Sequence, residues 1–419
     1  MKAHYYDPMF YISSEKMPFT IRIEATFKES VSGASLSHAV QKAITRYPYF
    51  CMKVVEEDGE LLAVSNDRPI VVYPGPEVRP LGSPEVNGHL LAVSYEENRI
   101  ALFVSHVITD GGGFFPFIKT VLYYYLCHRY QTELDPKGIR LVEEPFYDDE
   151  TANPYPEEKM REAKPFYEVK RKPYFRLTDG GYVNDDVSTV YRFRLKEEEV
   201  FHFNYDNDGS PCALISSLMA KTIWSLHPDI TEDIVSAVSF NLRPGLGNVH
   251  NYRLLCSAIR LNYPNSLREE GITKLCTCSR GMVFLQSQPE NVLYYSEQQR
   301  QRLEKIGEIT DLQKKKEIMG EMALRDATDN TFSVSYVGKM GLGSIEPYLD
   351  SMYNYTDGST YRTVFLEISA VNGWFDIAFQ QGFSSDVYYR AFLRQLEACG
   401  LHYVEEGKIP LNTPKMLLP

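Results

Sequence analysis

The chain has 419 residues, of which 43% are hydrophobic and 24% charged, with a formal net charge of −12. That length suits two to three domains of ~150 residues or one large two-lobed unit, with a composition ordinary for globular proteins. The acidic balance argues against a nucleic-acid-binding protein, which carries a basic stripe, and no stretch approaches the ~20 apolar residues of a membrane span.

The first sixteen residues hold no apolar run of signal-peptide type. The seven cysteines form no C-x-x-C pair and no metal-like Cys/His spacing, although Cys276 and Cys278 make a C-x-C. Reduced thiols in a cytoplasmic protein, with no metal, is the expectation.

The elements follow in chain order. TIRIEATF (20–27) reads as a strand. In 36–47 the apolar residues Leu36, Ala39, Val40, Ala43, Ile44 and Tyr47 keep a helical spacing, with Ser35 as the cap and Pro48 after the end. FCMKVVEE and LLAVSN are strands around EDGE; HLLAVSYEE and RIALFVSH are strands around ENR. A helix is expected from about 114 to 130, with Pro116 in its first turn.

Residues 133–186 are rich in proline, charge and tyrosine and read as a solvated crossover linker. The C-terminal part then gives a strand at 187–195, and a helix at 213–226 with Ser210 and Pro211 at its start. DIVSAVSFNLRP and LLCSAIRLNYP are strands, 266–327 is helical and charged, and three strands follow from TFSVSYVGKM to WFDIAFQQGF. A final helix, capped by Ser384 or Ser385 and stopped by Gly400, ends the fold. The resulting division is an N-terminal lobe at 1–132, a crossover at 133–186 and a C-terminal lobe at 187–419. Each lobe mixes strands and helices.

One stretch carries chemistry: SHVITDGGGF, 105–114. If 100–106 is a strand, Ile100, Leu102, Val104 and His106 share one face, and His106 sits where the chain leaves the sheet. Such a histidine serves as a general base, since its unperturbed pKa is near ~6.5. The glycines permit a turn at positive φ and close approach of a ligand. Asp110 either orients the imidazole or pairs with a distant arginine and fixes the loop. The bland reading is a core histidine and a helix-capping aspartate, and two fixed residues alone do not outweigh it.

The context shifts the balance. A strand, then H-x-x-x-D-G, then an amphipathic helix, in a two-lobed chain of this length, resembles the coenzyme-A-dependent acyltransferase superfamily. That group includes chloramphenicol acetyltransferase, alcohol acetyltransferases, polyketide-associated acyltransferases and the condensation domains of nonribosomal peptide synthetases. AITRYPYF (43–50) resembles its helix-to-strand passage, and SHVITDG its active-site motif, with Ser105 in place of a first histidine. VSFNLRP (238–244) resembles the second-lobe strand that ends in an arginine, and SVSYVGKMG (333–341) the segment bordering the tunnel. The plant-type D-F-G-W-G motif is absent.

The resemblance implies an α/β (α+β sandwich) fold of two chloramphenicol-acetyltransferase-like lobes with mixed sheets and a tunnel between them. It implies His106, Asp110 and Gly111 as the catalytic loop and Arg243 as the structural partner of Asp110. The oxyanion or acceptor contact would come from the Gly111 amide, Ser335 or Tyr336. Acyl-coenzyme A is then a co-substrate, with no tightly bound cofactor, and the acceptor is a small alcohol or amine. Two alternatives stay open: a condensation-type enzyme served by an acyl or peptidyl carrier protein, and a silent ligand-binding relative.

Lesser signals read as structure. Lys314, Lys315 and Lys316 suit a solvated helix face better than coenzyme A phosphates. DNDGS (206–210) misplaces the glycine of a calcium loop, and GLGS (341–344) is too short for a phosphate loop. Asn354 heads a formal glycosylation sequon.

Overall fold

β1 (Thr20–Phe27) buries Ile21, Ile23, Ala25 and Phe27 on one face, as a period of two requires. α1 (Gly33–Arg46) packs over that face. Its cap is Ser32, whose hydroxyl accepts from the Ser35 amide, so Ser35 lies inside the helix. β2 (Met52–Glu57) and β3 (Glu60–Ser65) form a separate hairpin. Its turn places Asp58 and Gly59 at φ of 51° and 77°, the mirror-image turn that matches strand twist. β4 (Val72–Pro74), β5 (Leu91–Glu96) and β6 (Arg99–Ser105) follow, then α2 (Gly111–Tyr130). α2 starts at Gly111, so Pro116 lies inside the helix and not in its first turn.

The computed structural model describes residues 7–336, 338–357 and 363–419. The N-terminal leader reading thus falls partly outside the described residues, as does Val337 of the 333–341 segment.

The second half adds α3 (Glu157–Glu162), β7 (Thr189–Lys196), α4 (Glu197–Asp206) and α5 (Pro211–Leu226). β8 (Ile234–Asn241), the short α6 (Arg243–Leu246) and β9 (Cys256–Tyr263) come next, then α7 (Ile272–Gln286), α8 (Pro289–Gly307) and α9 (Leu312–Thr328). The chain closes with β10 (Phe332–Tyr336), β11 (Leu349–Asp357), β12 (Val364–Val371), β13 (Trp374–Gln381), α10 (Val387–Ala398) and β14 (Tyr403–Pro410). Ser210 caps α5 through the Ala213 amide, with Pro211 in the first turn. α10 begins after Asp386, not at either serine, and it does not end the fold. β14 follows and pairs with β7 at the sheet edge, its charged pattern suiting an edge strand.

Two mixed sheets carry the architecture. The five-stranded sheet runs β11-β1-β6-β5-β4 and the seven-stranded sheet β14-β7-β13-β12-β10-β8-β9. β4–β5, β8–β10 and β10–β12 are parallel; the other pairs in these sheets are antiparallel. α1 and α2 cover one face of the first sheet, and α5, α7 and α10 cover one face of the second. The fold is therefore α/β with two lobes.

The lobes do not divide cleanly along the chain. β11 pairs antiparallel with β1 and so completes the N-terminal sheet. An unpaired β1 edge would leave a row of backbone donors and acceptors open, and β11 satisfies them. Met319 and Ala323 of α9 join the N-terminal core. Lys315, only 2% exposed, bonds Glu60 at 3.0 Å, so the three lysines are not a uniformly solvated face. Asn354 of the sequon is paired with Ile23 inside this sheet.

The crossover is likewise more than a solvated linker. Its Glu150 is 1% exposed and takes both guanidinium arms of Arg46, at 2.6 and 2.9 Å, and one arm of Arg140 at 2.8 Å. Burial alone would raise the Glu150 pKa, but hydrogen bonds from Arg46 and Tyr252 hold the carboxyl below its usual value. Glu150→Ala strands two guanidiniums, one of them fully buried, and is expected to cost about 3–5 kcal/mol in urea unfolding at pH 7. Since the folded pKa is depressed, this stabilisation is complete above about pH 4.3 and fades as pH falls through the folded value. A wild-type-to-mutant difference that stays constant down to strong acid would contradict the assignment.

Candidate active site

β6 delivers His106 at its end, beyond the last sheet pair Thr20–Ser105. The His106 amide still donates to the Phe19 carbonyl at 2.9 Å. The imidazole stacks on Phe19 with ring centroids 4.9 Å apart. Nδ1 lies 2.8 Å from the Thr109 carbonyl, so Nδ1 carries the proton and donates. That fixes the tautomer and leaves Nε2 as the basic nitrogen on the opposite edge of the ring. Among the described residues no group hydrogen-bonds Nε2, and the side chain is only partly buried. Burial lowers the His106 pKa below the usual imidazole value, although the Thr109 carbonyl and the Asp110 charge pull it back up. The ring is therefore neutral at pH 7.

The loop is pinned from below. Tyr49 donates to the Ile108 carbonyl at 2.5 Å, and burial pushes its phenol up to about 12, so it stays a donor. Asp110 does three tasks with two oxygens. Oδ1 caps α2 by accepting from the Gly113 amide at 2.9 Å and takes Arg243 Nη2 at 2.8 Å. Oδ2 takes Arg243 Nη1 at 3.1 Å and the Leu255 amide at 2.7 Å. Arg243 spends its remaining three donors on the Asn251 and Arg253 carbonyls, both at 2.7 Å, and on Asn241 Oδ1 at 3.2 Å. Both side chains are about 95% buried, with 4% and 5% exposure. Asp110 does not touch the imidazole by a hydrogen bond; it holds the loop.

The glycines serve a different end from the one expected. None of Gly111, Gly112 and Gly113 has a positive φ; all three are helical. A Cβ on Gly112 would lie 2.8 Å from Arg243 Nη1, and one on Gly113 would lie 2.7 Å from Nη2 and against the Tyr252 backbone carbonyl. Two of the glycines thus make room for the arginine of the other lobe rather than for a ligand. The Gly111 amide, at the open N-terminus of α2, has no acceptor among the described residues.

Ser335 and Tyr336 part company. β10 alternates, and Tyr336 shares the face of Phe332 and Val334, which joins the C-terminal core. Its ring packs on Phe375 at 5.6 Å, and burial pushes its phenol to about 12. Ser335 is on the opposite, more polar face, beside Glu367 of β12. No hydrogen bond joins either residue to His106 among the described residues. Sequence reasoning missed Arg46, Tyr49 and Glu150; their partners are remote in the chain, and no spacing rule announces such contacts.

Polyketide synthase associated protein 5 from Mycobacterium tuberculosis superposes with a TM-score of 0.59 at 13% identity, over 94% of this chain and 96% of its own. The first condensation domain of the CDA synthetase gives 0.60 at 12%, over 91% and 90%. The chain has the fold of the coenzyme-A-dependent acyltransferases and condensation domains. F. graminearum TRI101, solved with coenzyme A and deoxynivalenol, gives 0.55 at 12% identity over 94% and 96%. No protein-family model matches the chain, and no curated protein matches it by sequence. All seven cysteines are free thiols. Among the described residues there is no group of His, Cys, Asp or Glu suited to a metal, and no helix long and apolar enough to cross a membrane.

Arg243→Met leaves the Asp110 carboxylate buried and unpaired, at an expected cost of about 3–5 kcal/mol in denaturant midpoint analysis. Gly113→Ala attacks the same contact sterically and should also destabilise. A Gly113→Ala protein as stable as wild type would contradict the close packing of the two lobes at this point.

Proposed function

We propose that the protein is an acyltransferase that moves an acyl group from a thioester, acyl-coenzyme A, to the hydroxyl or amine of a small acceptor. The observation that carries this reading is His106. Its Nδ1–H is committed to the Thr109 carbonyl, and its neutral Nε2 has no partner among the described residues, at the end of a buried strand. The fold supports it, because structural neighbours include TRI101 with coenzyme A and a condensation domain. Fold alone does not assign an activity, so the site bears the argument.

In the proposed reaction Nε2 removes the acceptor proton as the acceptor oxygen or nitrogen attacks the thioester carbonyl. The tetrahedral oxyanion takes a hydrogen bond from the Gly111 amide or the Ser335 hydroxyl. Collapse expels the thiolate, which recovers the proton from His106. The ester or amide and the free thiol leave, and the enzyme is unchanged. Both substrates meet in a tunnel between the lobes. Asp110 and Arg243 position the loop and do not take part in proton transfer.

The likeness to a condensation domain favours one second reading, in which the donor is held on a carrier protein. The assay separates the two. Thiol release from a panel of acyl-coenzyme A donors, and from the same acyl groups on a carrier protein, is measured with pooled alcohols and amines. Acceptor-dependent release is expected, falling by about 10²–10⁴-fold in a folded His106→Ala variant. Release only from carrier-bound thioesters supports the second reading; release from neither marks a silent relative.

The pH profile gives an independent check. Because burial lowers the His106 pKa, the base stays neutral below the usual imidazole range. The acid limb of kcat/KM should therefore fall below about pH 6.5. A limb clearly above that value would assign the base to another group.

A further inference from the structure

A cavity outside the catalytic loop opens on the face of β8 and β9 that turns away from the C-terminal core. It holds about 550 Å³, the size of a small-molecule site. Ala237, Cys256 and Ala258 form its floor, and Val292 and Arg302 of α8 form a wall. Its link to the catalytic loop is Cys256, which directly follows Leu255, whose amide bonds Asp110. From Cys256 to Arg260 the floor runs four strand residues, about 13 Å.

The far end of this cavity is cationic. Its lining holds three guanidiniums, Arg171, Arg260 and Arg302, against two carboxylates, Asp326 and Asp329. That local excess of positive charge lies within a chain of net charge −12. Asp329 is shared, since it bonds both Arg171 and Arg260. Among the described residues two buried guanidinium nitrogens lack an acceptor, Arg260 Nε and Arg302 Nη2, while Arg302 Nη1 bonds Asp326 at 3.4 Å. A buried N–H lacking an acceptor is costly, and a guanidinium keeps its charge throughout. Burial disfavours the Arg260 charge, Asp329 offsets part of that and the neighbouring Arg171 adds to it, so an anion here would supply further compensation.

We propose that this cavity receives the anionic end of a substrate, a carboxylate or phosphate, with Arg260 and Arg302 as its hydrogen-bond donors. The proposal rests on the acyl-transfer reading and extends it to substrate class. The reacting group sits by His106, and the charged group lies about 13 Å or more beyond Cys256 along the floor. The same chemistry has two sources, an acidic acceptor or the phosphates of the coenzyme A donor.

Calorimetric titration of the full chain distinguishes them and needs no turnover. The probes are ω-hydroxydecanoate and ω-hydroxydecyl phosphate against neutral decanediol, and coenzyme A against dephospho-coenzyme A. At least one anionic probe should bind roughly tenfold tighter than its less charged counterpart. Arg302→Gln should erase that preference. Ala258→Trp, which fills the floor, should abolish binding of the same probe and keeps the test valid if Arg302→Gln does not fold. Preference among the hydroxy compounds identifies an acidic acceptor, and preference confined to coenzyme A identifies the donor. No charge preference in the wild type, or a preference that survives both variants, overturns the proposal. Charge-selective binding without any thiol release would instead overturn the acyl-transfer reading and leave the anion site standing.

Discussion

The Asp110–Arg243 pair is the contact on which the rest of the site depends. One carboxylate caps α2, orders the turn after β6 and reaches two points of the other lobe. Every donor of the guanidinium finds an acceptor, so the cost of burying two charges is met by geometry rather than by charge alone. Fixing Asp110 fixes the Thr109 carbonyl next to it, and that carbonyl sets the His106 tautomer. The chain of cause runs from a helix cap to a proton position within four residues.

A second buried pair supports the first from behind. Glu150 of the crossover binds Arg46 of α1, and its carbonyl accepts from the Tyr252 amide. Tyr252 belongs to the β8–β9 connection, whose Asn251 and Arg253 carbonyls hold Arg243. Asp149 adds bonds to the His250 amide and ring. The crossover thus ties the N-terminal lobe to the loop that presents the arginine. Most of its length is exposed, but Glu150 is buried and Asp149 half-buried, and both are bonded to other parts of the fold.

Strand alternation then sorts the second lobe. On β10 the residue facing the helices is Tyr336, and the one facing the other way is Ser335. The same alternation on β8 and β9 places Ala237, Cys256, Ala258 and Arg260 together on the cavity face. A single sheet therefore supplies a hydrophobic core on one side and a small, polar, partly cationic surface on the other.

Local sequence determined most of the elements and the site motif. Periodicity located α1, where one buried face imposes a period of 3.6, while β5, β6 and α5 were legible as apolar runs bounded by turn or cap signals. The order strand, His106, Asp110, glycines, helix marked the loop for the same local reason. Arg243 was legible through a family resemblance, not through spacing. What the chain alone did not decide are the long-range pairings. β11 joins the N-terminal sheet from the far end of the chain, Lys315 is buried against Glu60, and Glu150 is buried against Arg46. The glycines looked like room for a ligand and are room for an arginine. Whether a charge is solvated or paired, and which neighbour a glycine spares, depends on what the fold brings from elsewhere, and only the tertiary structure decides it.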